Sequence, residues 1–489
     1  MQISCNFSHL QNGSDVRGVS SESHGKRVTF APADAHSIAS SFASFVSIKT
    51  GKQIDDLSIS IGRDPRLSGP QIRNGVVAAL TGMGVEVIDF GIASTPAMFM
   101  SCLDNMLDMD GAIMLTASHL PGDRNGMKLF TELGGVNKLE LESILSHASL
   151  IDADHARFLS IPQDSHLKRI DFMMDYANHL RSVIHDGLSD DNDKPLAGLK
   201  IIVDAGNGSG GFFAKDVLEP LGADTTGSQF LDPDGNFPNH VANPEDPEAM
   251  QSLVDAVIRN KADMGILFDT DVDRCGIVDG SGRVYNRNTF IAMMSSVCLK
   301  ETPGCTIVTD SVTSEGLTRF IESHGGQHLR YVRGYRNVID KAMELCRKGY
   351  SAPLAIETSG HGALRENYFL DDGSYMATKL VTECALRNGD LASLVDGFEE
   401  PAESKEIRIN ASKPKAMLQG FREFVNKTPG WTLDETSYEG VRATVDDPHG
   451  WLLVRESLHD PVVVVNIESD ERGGTSVTEE LIMDFFNRR

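Results

Sequence analysis

The chain is poor in cysteine, in positive charge and in long apolar runs. Seven cysteines stand singly at Cys5, Cys102, Cys275, Cys298, Cys305, Cys346 and Cys384. The number is odd and no CxxC spacing occurs, which argues against a disulfide framework and a cysteine-built zinc site and points to reduced thiols. Lysine plus arginine total 45 against 70 aspartates and glutamates, a formal charge of −25. Nucleic acid needs a basic face, so that class of partner is excluded. Aliphatic runs such as Val462 to Val465 fall far short of the roughly 18 apolar residues of a membrane span, so no membrane partner is expected. The start, MQISCNFSHLQNGSD, has no basic segment followed by an apolar one and little arginine. Neither a secretory signal nor a transit peptide is expected, and Asn12-Gly-Ser is then a chance glycosylation match. The expectation is a cytoplasmic protein, or a plastid one if a transit peptide has been lost.

What is present is ordinary for a globular chain: 40% hydrophobic and 24% charged residues. At roughly 150 residues per domain the length implies about three to four domains. One pattern occurs three times. Leu57-Ser-Ile-Ser-Ile-Gly leads to a helix-like stretch from Pro70 to Met83, a strand at Val85 to Phe90, a helix near Pro96 and the strand Gly111-Ala-Ile-Met-Leu. Leu199-Lys-Ile-Ile-Val-Asp leads to a helix from about Phe212, a strand near Ala223, a helix from Pro247 to Asn260 and Met264-Gly-Ile-Leu-Phe-Asp. Thr306-Ile-Val-Thr-Asp leads to a helix from about Ser314, a strand at His328 to Val332, a helix from Asn337 to Arg347 and Ala352-Pro-Leu-Ala-Ile-Glu. Short strands alternating with helices predict an α/β protein of three consecutive βαβ-type domains with mixed sheets. Beyond Ala402 the rhythm stops. Lys405 to Asn410, Trp451 to Arg455 and Pro461 to Ile467 look like strands and Glu479 to Asn487 like a helix, which predicts a smaller C-terminal α+β domain. The predicted domains are 1–188, 189–302, 303–402 and 403–489, with the acidic stretch DGLSDDNDK from Asp186 to Lys194 as a linker. Each third strand ends in a polar loop, at Ser118, Asp269 and Glu357. Ligands of open α/β sheets sit beyond strand carboxyl ends, so these loops are expected to serve one cleft.

Asp269-Thr-Asp-Val-Asp-Arg274 places three carboxylates at alternate positions. Oxygen donors suit a hard ion such as Mg²⁺. An EF-hand is excluded, because its sixth and twelfth positions would be Arg274 and Gly280. The plain alternative is a solvated acidic turn. In Thr116-Ala-Ser-His-Leu-Pro121, Ser118 follows an apolar strand and is open to phosphorylation or nucleophilic attack, unless it is a helix N-cap. Lys128, in Asn125-Gly-Met-Lys, is then a candidate proton donor or charge neutraliser. In Glu357-Thr-Ser-Gly-His361 a carboxylate and a hydroxyl two residues apart can hold adjacent sugar hydroxyls, and His361 can carry a proton near neutrality. Arg455-Glu-Ser-Leu-His-Asp-Pro461 can form a phosphate cup from Arg455, Ser457 and His459. Both segments also read as ordinary loops. Gly206-Asn-Gly-Ser-Gly-Gly211 satisfies GxGxxG, but no acidic residue ends a second strand about twenty residues on, so a tight turn is favoured over a nicotinamide site. Arg17, Arg63 and Arg66 stand beside turn residues, where cations are structural as often as functional.

Taken in order, TASHLP with NGMK, DTDVDR, ETSGH and the late RxSxxxP resemble the α-D-phosphohexomutases, which include phosphoglucomutases, phosphomannomutases and phosphoglucosamine mutases. The resemblance runs from Asn12 to the C-terminus. It implies a four-domain, heart-shaped enzyme that interconverts hexose 1-phosphate and hexose 6-phosphate through a phosphoserine, with Mg²⁺ and a hexose 1,6-bisphosphate activator. By the same resemblance Ser118 is the phosphorylated nucleophile, and Asp269, Asp271 and Asp273 hold Mg²⁺ together with it. Arg274 lies beside the metal, while Arg17 and Lys128 flank the transferring group. Glu357 and Ser359 hold sugar hydroxyls with His361 near the reacting end, and Arg333 of Val332-Arg-Gly-Tyr-Arg helps select the sugar. Arg455, Ser457 and His459 bind the other phosphate. The implied partner is a small phosphosugar, and the implied assembly a monomer or dimer.

Three departures stand out. Thr270 and Val272 occupy positions where glycine is usual, and SLHDP replaces SNTEP, so that His459 stands for a hydroxyl donor. Thr358 replaces the glutamine of phosphoglucosamine mutases, which lowers the amino-sugar reading. The SLHDP and ETSGHGAL combination also resembles a divergent branch of plants, algae and their photosynthetic relatives. A hexose-1,6-bisphosphate synthase and a non-catalytic phosphosugar-binding protein are the alternatives.

Overall fold

The computed structural model describes residues 6–22, 25–103, 106–151, 166–189, 192–411, 413–457 and 462–487. They form two compact units, Met1–Tyr285 with Leu370–Leu391, and Asn286–Phe369 with Ala392–Arg489. The stretch 303–402 is thus shared between the two units.

The first unit contains two sheets. One holds β1 (Gln11–Asn12), β2 (Asp15–Val19), β3 (Ser58–Arg63), β4 (Glu86–Ile92), β5 (Gly111–Leu115), β6 (Arg124–Thr131), β7 (Gly134–Gly135) and β8 (Leu167–Arg169). The order is β1-β2-β6-β5-β3-β4-β8, with β7 beside β6. The strands β3, β4, β5 and β8 run parallel, and β6 turns back antiparallel to β5. All five residues of β5 are buried, as expected of a parallel strand covered on both faces. Ile38, Phe42, Ile59, Ile61, Val76 and Leu80 belong to the core formed with the helices Pro32–Thr50 and Gly69–Gly82.

The second sheet holds β9 (Ile201–Asp204), β10 (Met264–Phe268), β11 (Cys275–Asp279) and β12 (Val284–Tyr285), ordered β12-β11-β10-β9. Here the sequence expectation needs correcting. No strand forms near Ala223; the chain meets β9 only at the single bridges Lys200–Asp224 and Asp204–Gln229. The segment Asp224-Thr-Thr-Gly-Ser-Gln is polar, and Gly227 at φ +106° breaks extended pairing. The helix expected from Phe212 is a six-residue π-helical turn, Phe213–Leu218, followed by Glu219 and Pro220. The supposed linker is partly helix. Phe172–Leu188 runs through Asp186, and Ser189 ends it at φ +49°. This helix packs on Gly373–Leu386, where the Tyr176 hydroxyl donates to Asp372 Oδ1 at 2.7 Å.

In the second unit, β13 (Thr306–Asp310), β14 (Gln327–Tyr331), β15 (Leu354–Ile356) and β16 (Gly362–Leu364) are ordered β14-β13-β15-β16. The strands β17 (Glu403–Asn410), β18 (Trp431–Leu433), β19 (Val441–Val445), β20 (Gly450–Glu456) and β21 (Val462–Ser469) form an antiparallel sheet. Phe421, Trp431, Phe485 and Phe486 fill the core between that sheet and its helices, Pro414–Val425 and Gly474–Asn487.

The three repeats share a feature that positions the chemistry. In each, the last parallel strand turns into an antiparallel neighbour: β5 to β6, β10 to β11, and β15 to β16. The three connecting loops are those of Ser118, of Asp269 to Arg274, and of Glu357 to His361. No helix among the described residues is long and apolar enough to cross a membrane.

Asp372 caps the helix Gly373–Leu386 by accepting the Tyr375 amide at 2.9 Å, besides accepting the buried Tyr176 hydroxyl. Asp372→Ala removes a cap and strands that hydroxyl. A loss of about 2–4 kcal/mol is expected, measured by urea denaturation.

Candidate functional site

Ser118 is buried and sits in the left-handed region at φ +50°. That conformation costs a non-glycine residue roughly 1–2 kcal/mol, so the loop must be held from outside. Arg66 holds it. Its fully buried guanidinium donates to the carbonyls of Leu120 at 2.7 Å, Pro121 at 2.6 Å and Arg124 at 3.1 Å, and also to that of Ser118. Asp64, equally buried, aims the guanidinium: its Oδ2 accepts Arg66 Nε at 2.9 Å and its Oδ1 the Arg66 amide at 3.0 Å. Thr116 Oγ1 donates to Asp64 Oδ2 at 2.8 Å and accepts the Ser118 amide at 2.8 Å. Burial pushes the Asp64 carboxyl above its ordinary range, with Arg66 pulling against it. Arg17 borders the same loop, donating to the Thr116 carbonyl at 2.5 Å and to Asp15 Oδ2 at 2.7 Å. It lies opposite Gly126, whose added Cβ would stand 1.9 Å from the Val16 carbonyl oxygen. Only glycine lets β2 close on β6 there.

Asp269, Asp271 and Asp273 are fully buried, and one oxygen of each lies within 4.8 Å of the others. Ser118 Oγ donates to Asp269 Oδ2 at 2.9 Å, which joins the serine to the cluster. Arg274 donates to the same oxygen through Nε and Nη2, both at 3.1 Å, and its Nη2 reaches Ser118 Oγ at 3.4 Å. Lys128 Nζ donates to Asp273 Oδ2 and stands 3.6 Å from Asp271 Oδ2. Thr95 Oγ1 donates to Asp271 Oδ2 at 2.6 Å, and the Thr95 amide donates to the Asp271 carbonyl at 2.8 Å. Burial, then repulsion from Asp273, pushes Asp269 well above the usual carboxylate range.

The residues present fit a divalent cation. Three carboxylates face two cationic side chains, one charge short of balance. Asp271 Oδ1 is buried and accepts no hydrogen bond. Buried carboxylates with a vacant lone pair are what a hard, oxygen-seeking ion requires. The glycine-rich motif supports this loop. Ser209 donates its amide to the Thr270 carbonyl at 2.9 Å, and a Cβ on Gly208 would fall 2.8 Å from that oxygen. Val272, where the resemblance leads one to expect glycine, takes φ +69° with its side chain wholly buried. Its strain of roughly 1–2 kcal/mol is offset by burial of similar size.

The second unit gathers a different set. Glu357 is buried, accepting the Gly334 amide at 2.6 Å and the Ser359 hydroxyl at 3.2 Å. Burial, then the charge of Asp310, pushes its carboxyl up to about 7, while His361 and Arg333 pull it down. Asp310 anchors the loop by accepting the Thr358 amide at 3.2 Å and hydroxyl at 2.8 Å, and it lies 3.8 Å from Arg333 Nε. Glu439 accepts the Arg333 amide at 3.2 Å. The His361 ring stacks on Tyr335 at 5.1 Å between centroids. Arg455 is buried on β20, with its Nε unpartnered and no ion pair among the described residues. A buried guanidinium in that state is a receptor for an anion. The Ser457 amide donates to the Val462 carbonyl at 3.0 Å; His459 lies outside the described residues.

The first unit thus brings together Ser118, Arg17, Lys128, Arg274 and the three aspartates. The second holds Arg333, Glu357, Ser359 and His361 around Asp310, with Arg455 within electrostatic range of Arg333 and Asp310. Sequence reading missed Thr95, Asp310, Glu439 and the role of the Asp64–Arg66 pair. Asp310 ends a parallel strand, the signal that marked Ser118 and Asp269. Glu439 carries no comparable signal, since it comes from an irregular loop.

The chain matches the family descriptions "Phosphoglucomutase/phosphomannomutase, alpha/beta/alpha domain I" over residues 9–150, domain II over 174–282 and domain III over 286–401. It is 32% identical to a phosphomannomutase/phosphoglucomutase of Pseudomonas syringae pv. tomato, over 84% of this chain and 83% of that one. It is 30% identical to a phosphoglucomutase of Neisseria gonorrhoeae, over 84% and 85% of the two chains. A crystal structure of a phosphoglucomutase/phosphomannomutase family protein from Burkholderia thailandensis superposes with a TM-score of 0.80 at 28% identity, covering 97% of this chain and 96% of that one.

If the three-aspartate cluster binds a divalent cation, Mg²⁺ or Mn²⁺ raises the thermal midpoint of the chain. Asp271→Asn is expected to abolish that rise without loss of fold, as followed by differential scanning fluorimetry and circular dichroism.

Proposed function

The chain belongs to the phosphoglucomutase/phosphomannomutase family of isomerases, and from that premise we propose that it interconverts hexose 1-phosphate and hexose 6-phosphate through a phosphoserine at Ser118. The substrates proposed are the glucose and mannose phosphates, the two sugars in the relatives' names. One observation carries the reading. Ser118, strained and clamped from behind by Arg66, presents Oγ to a buried carboxylate cluster flanked by Lys128 and Arg274, while Arg17 holds the Thr116 carbonyl of the same loop.

In this reading Asp269, Asp271 and Asp273 hold Mg²⁺. Bound there, the ion supplies charge stabilisation to the equatorial oxygens of the phosphoryl group. The bond from Ser118 Oγ to phosphorus breaks as a sugar hydroxyl forms the new one. The proton of that hydroxyl passes to Lys128 Nζ as the ammonium releases one of its own to Asp273 Oδ2, the oxygen to which it already donates. Arg17 and Arg274 offset charge that develops during transfer, the dominant need of phosphoryl chemistry. Glu357 and Ser359 orient the sugar by its hydroxyls, His361 and Arg333 contribute to its selection, and Arg455 and Ser457 hold the phosphate not being transferred. Domain boundaries at 188, 302 and 402 are part of the same proposal. The hexose 1,6-bisphosphate then turns end for end, and the opposite phosphate returns to Ser118.

A coupled assay with Mg²⁺, catalytic glucose 1,6-bisphosphate and glucose 1-phosphate or mannose 1-phosphate tests the reading. Turnover of at least one sugar is expected, and Ser118→Ala is expected to abolish it with the fold intact. A fully active Ser118→Ala chain removes Ser118 from the nucleophile's role. Bisphosphate accumulation without isomer points to the synthase instead.

Glu357 gives a pH signature. Its carboxyl accepts hydroxyl hydrogens through both oxygens, and with full charge, only when ionised, and with a pKa near 7 it becomes protonated as pH falls from 8 to 6. KM is expected to rise over that window. Glu357→Gln is expected to bind more weakly at pH 8 and to lose that part of the pH dependence.

A further inference from the structure

A cavity of about 670 Å³ in the first unit is lined by three arginines, Arg63, Arg73 and Arg169, over an apolar floor of Pro70, Phe90 and Ile170. None of its lining residues belongs to the serine loop or the metal loop. The arginines come from three places: Arg63 ends β3, Arg169 ends β8, and Arg73 lies in the first turns of the helix Gly69–Gly82. Ligands favour the carboxyl ends of parallel strands, and β3, β4 and β8 all end here.

The charge around the cavity does not balance. Asp89 is the one buried carboxylate in its lining. Its Oδ2 accepts Arg73 Nε at 2.8 Å and Nη2 at 2.5 Å, and lies 3.4 Å from Arg169 Nε. Its Oδ1 accepts the Gly91 amide at 2.9 Å. One carboxylate therefore serves two guanidiniums. Among the described residues Arg63 has no ion pair; the one hydrogen bond its side chain makes there goes to the Asp64 carbonyl at 3.1 Å. Partial burial draws its pKa below the arginine range, against the pull of Asp64 and Asp89. Asp171, also in the lining, is exposed at the mouth. Three cations against two anions leave a net positive cavity in a chain of charge −25.

We propose that this cavity binds the phosphate group of a small phosphate ester. The dianion bridges Arg63 to Arg169 and to Arg73, whose Nη1 otherwise donates, among the described residues, only to Asn74 Oδ1 at 3.4 Å, and the organic body rests on Phe90 and Ile170. Guanidinium forks match phosphate oxygens in geometry, and a half-buried cation without an ion pair, such as Arg63, gains from one. The site lies apart from the residues assigned to catalysis and does not depend on which sugar is isomerised. It does adjoin them in sequence: Arg63 precedes Asp64 and Arg66, the pair that holds the serine loop.

The test is calorimetric titration of inorganic phosphate into the full-length Arg455→Gln chain, where the buried arginine of the proposed phosphate cup is absent. Phosphate binding is expected to persist there. Adding Arg63→Gln is expected to weaken it at least tenfold, with the circular dichroism spectrum unchanged. Arg169 is exposed along its side chain, so Arg169→Gln is a second variant that leaves packing alone, with a severalfold loss expected. No phosphate uptake by Arg455→Gln, or uptake equally tight after Arg63→Gln or after Arg169→Gln, overturns the proposal.

Discussion

The first unit's chemistry depends on the ion pair of Asp64 with Arg66. Both side chains are fully buried, and removal of either would leave an uncompensated charge in a dry interior. The pair is tolerated because nearly every polar group in it is used. Arg66 satisfies four loop carbonyls that have no sheet partner, and Asp64 fixes Thr116, which in turn holds the Ser118 amide. A serine in the left-handed region is strained, and a mobile loop would relax that strain. Here the surrounding hydrogen bonds over-determine the conformation, and Oγ stays directed at Asp269.

A second regularity is unbalanced buried charge. A structural ion pair closes on itself, as Asp64 and Arg66 do. The groups assigned to chemistry do not. Three buried aspartates meet two cations and leave Asp271 Oδ1 empty, whereas Arg455 is buried with Nε unpartnered. The first arrangement calls for a cation and the second for an anion. Glu357 shows the same logic in its proton affinity, because burial beside Asp310 sets its titration near neutrality. The cavity of Arg63, Arg73 and Arg169 belongs to this class, not to that of closed pairs.

The backbone explains why these groups fall in loops at strand ends. Each repeat ends its parallel set with an antiparallel return, and the loop joining the two strands carries the polar groups. Glycines at 126 and 208 permit the approaches that the loops need. Val272 shows that the rule bends: a β-branched residue occupies φ +69° because its side chain is fully buried.

Much of this was legible in the chain itself. Apolar runs of five residues ending in Ser, Asp or Glu marked β5, β10 and β15, since a strand buried on both faces must be continuous in hydrophobicity. Carboxylates at alternate positions marked the candidate metal loop, because a cation demands converging oxygens whatever the fold. Local patterns failed where long-range contact decides. The polar segment after Ala223 does not form the strand that the repeat predicted. Phe172–Leu188 extends into a stretch whose composition resembles a linker, because its apolar face packs on a helix some two hundred residues away. The role of Arg66 depends on acceptors at Ser118, Leu120, Pro121 and Arg124, which no local spacing predicts. The sequence alone determined which chemical groups are available and at which strand ends they fall, since residue type and periodicity are local. Only the tertiary structure decided which charges are balanced, because balance depends on distances between residues far apart in the chain.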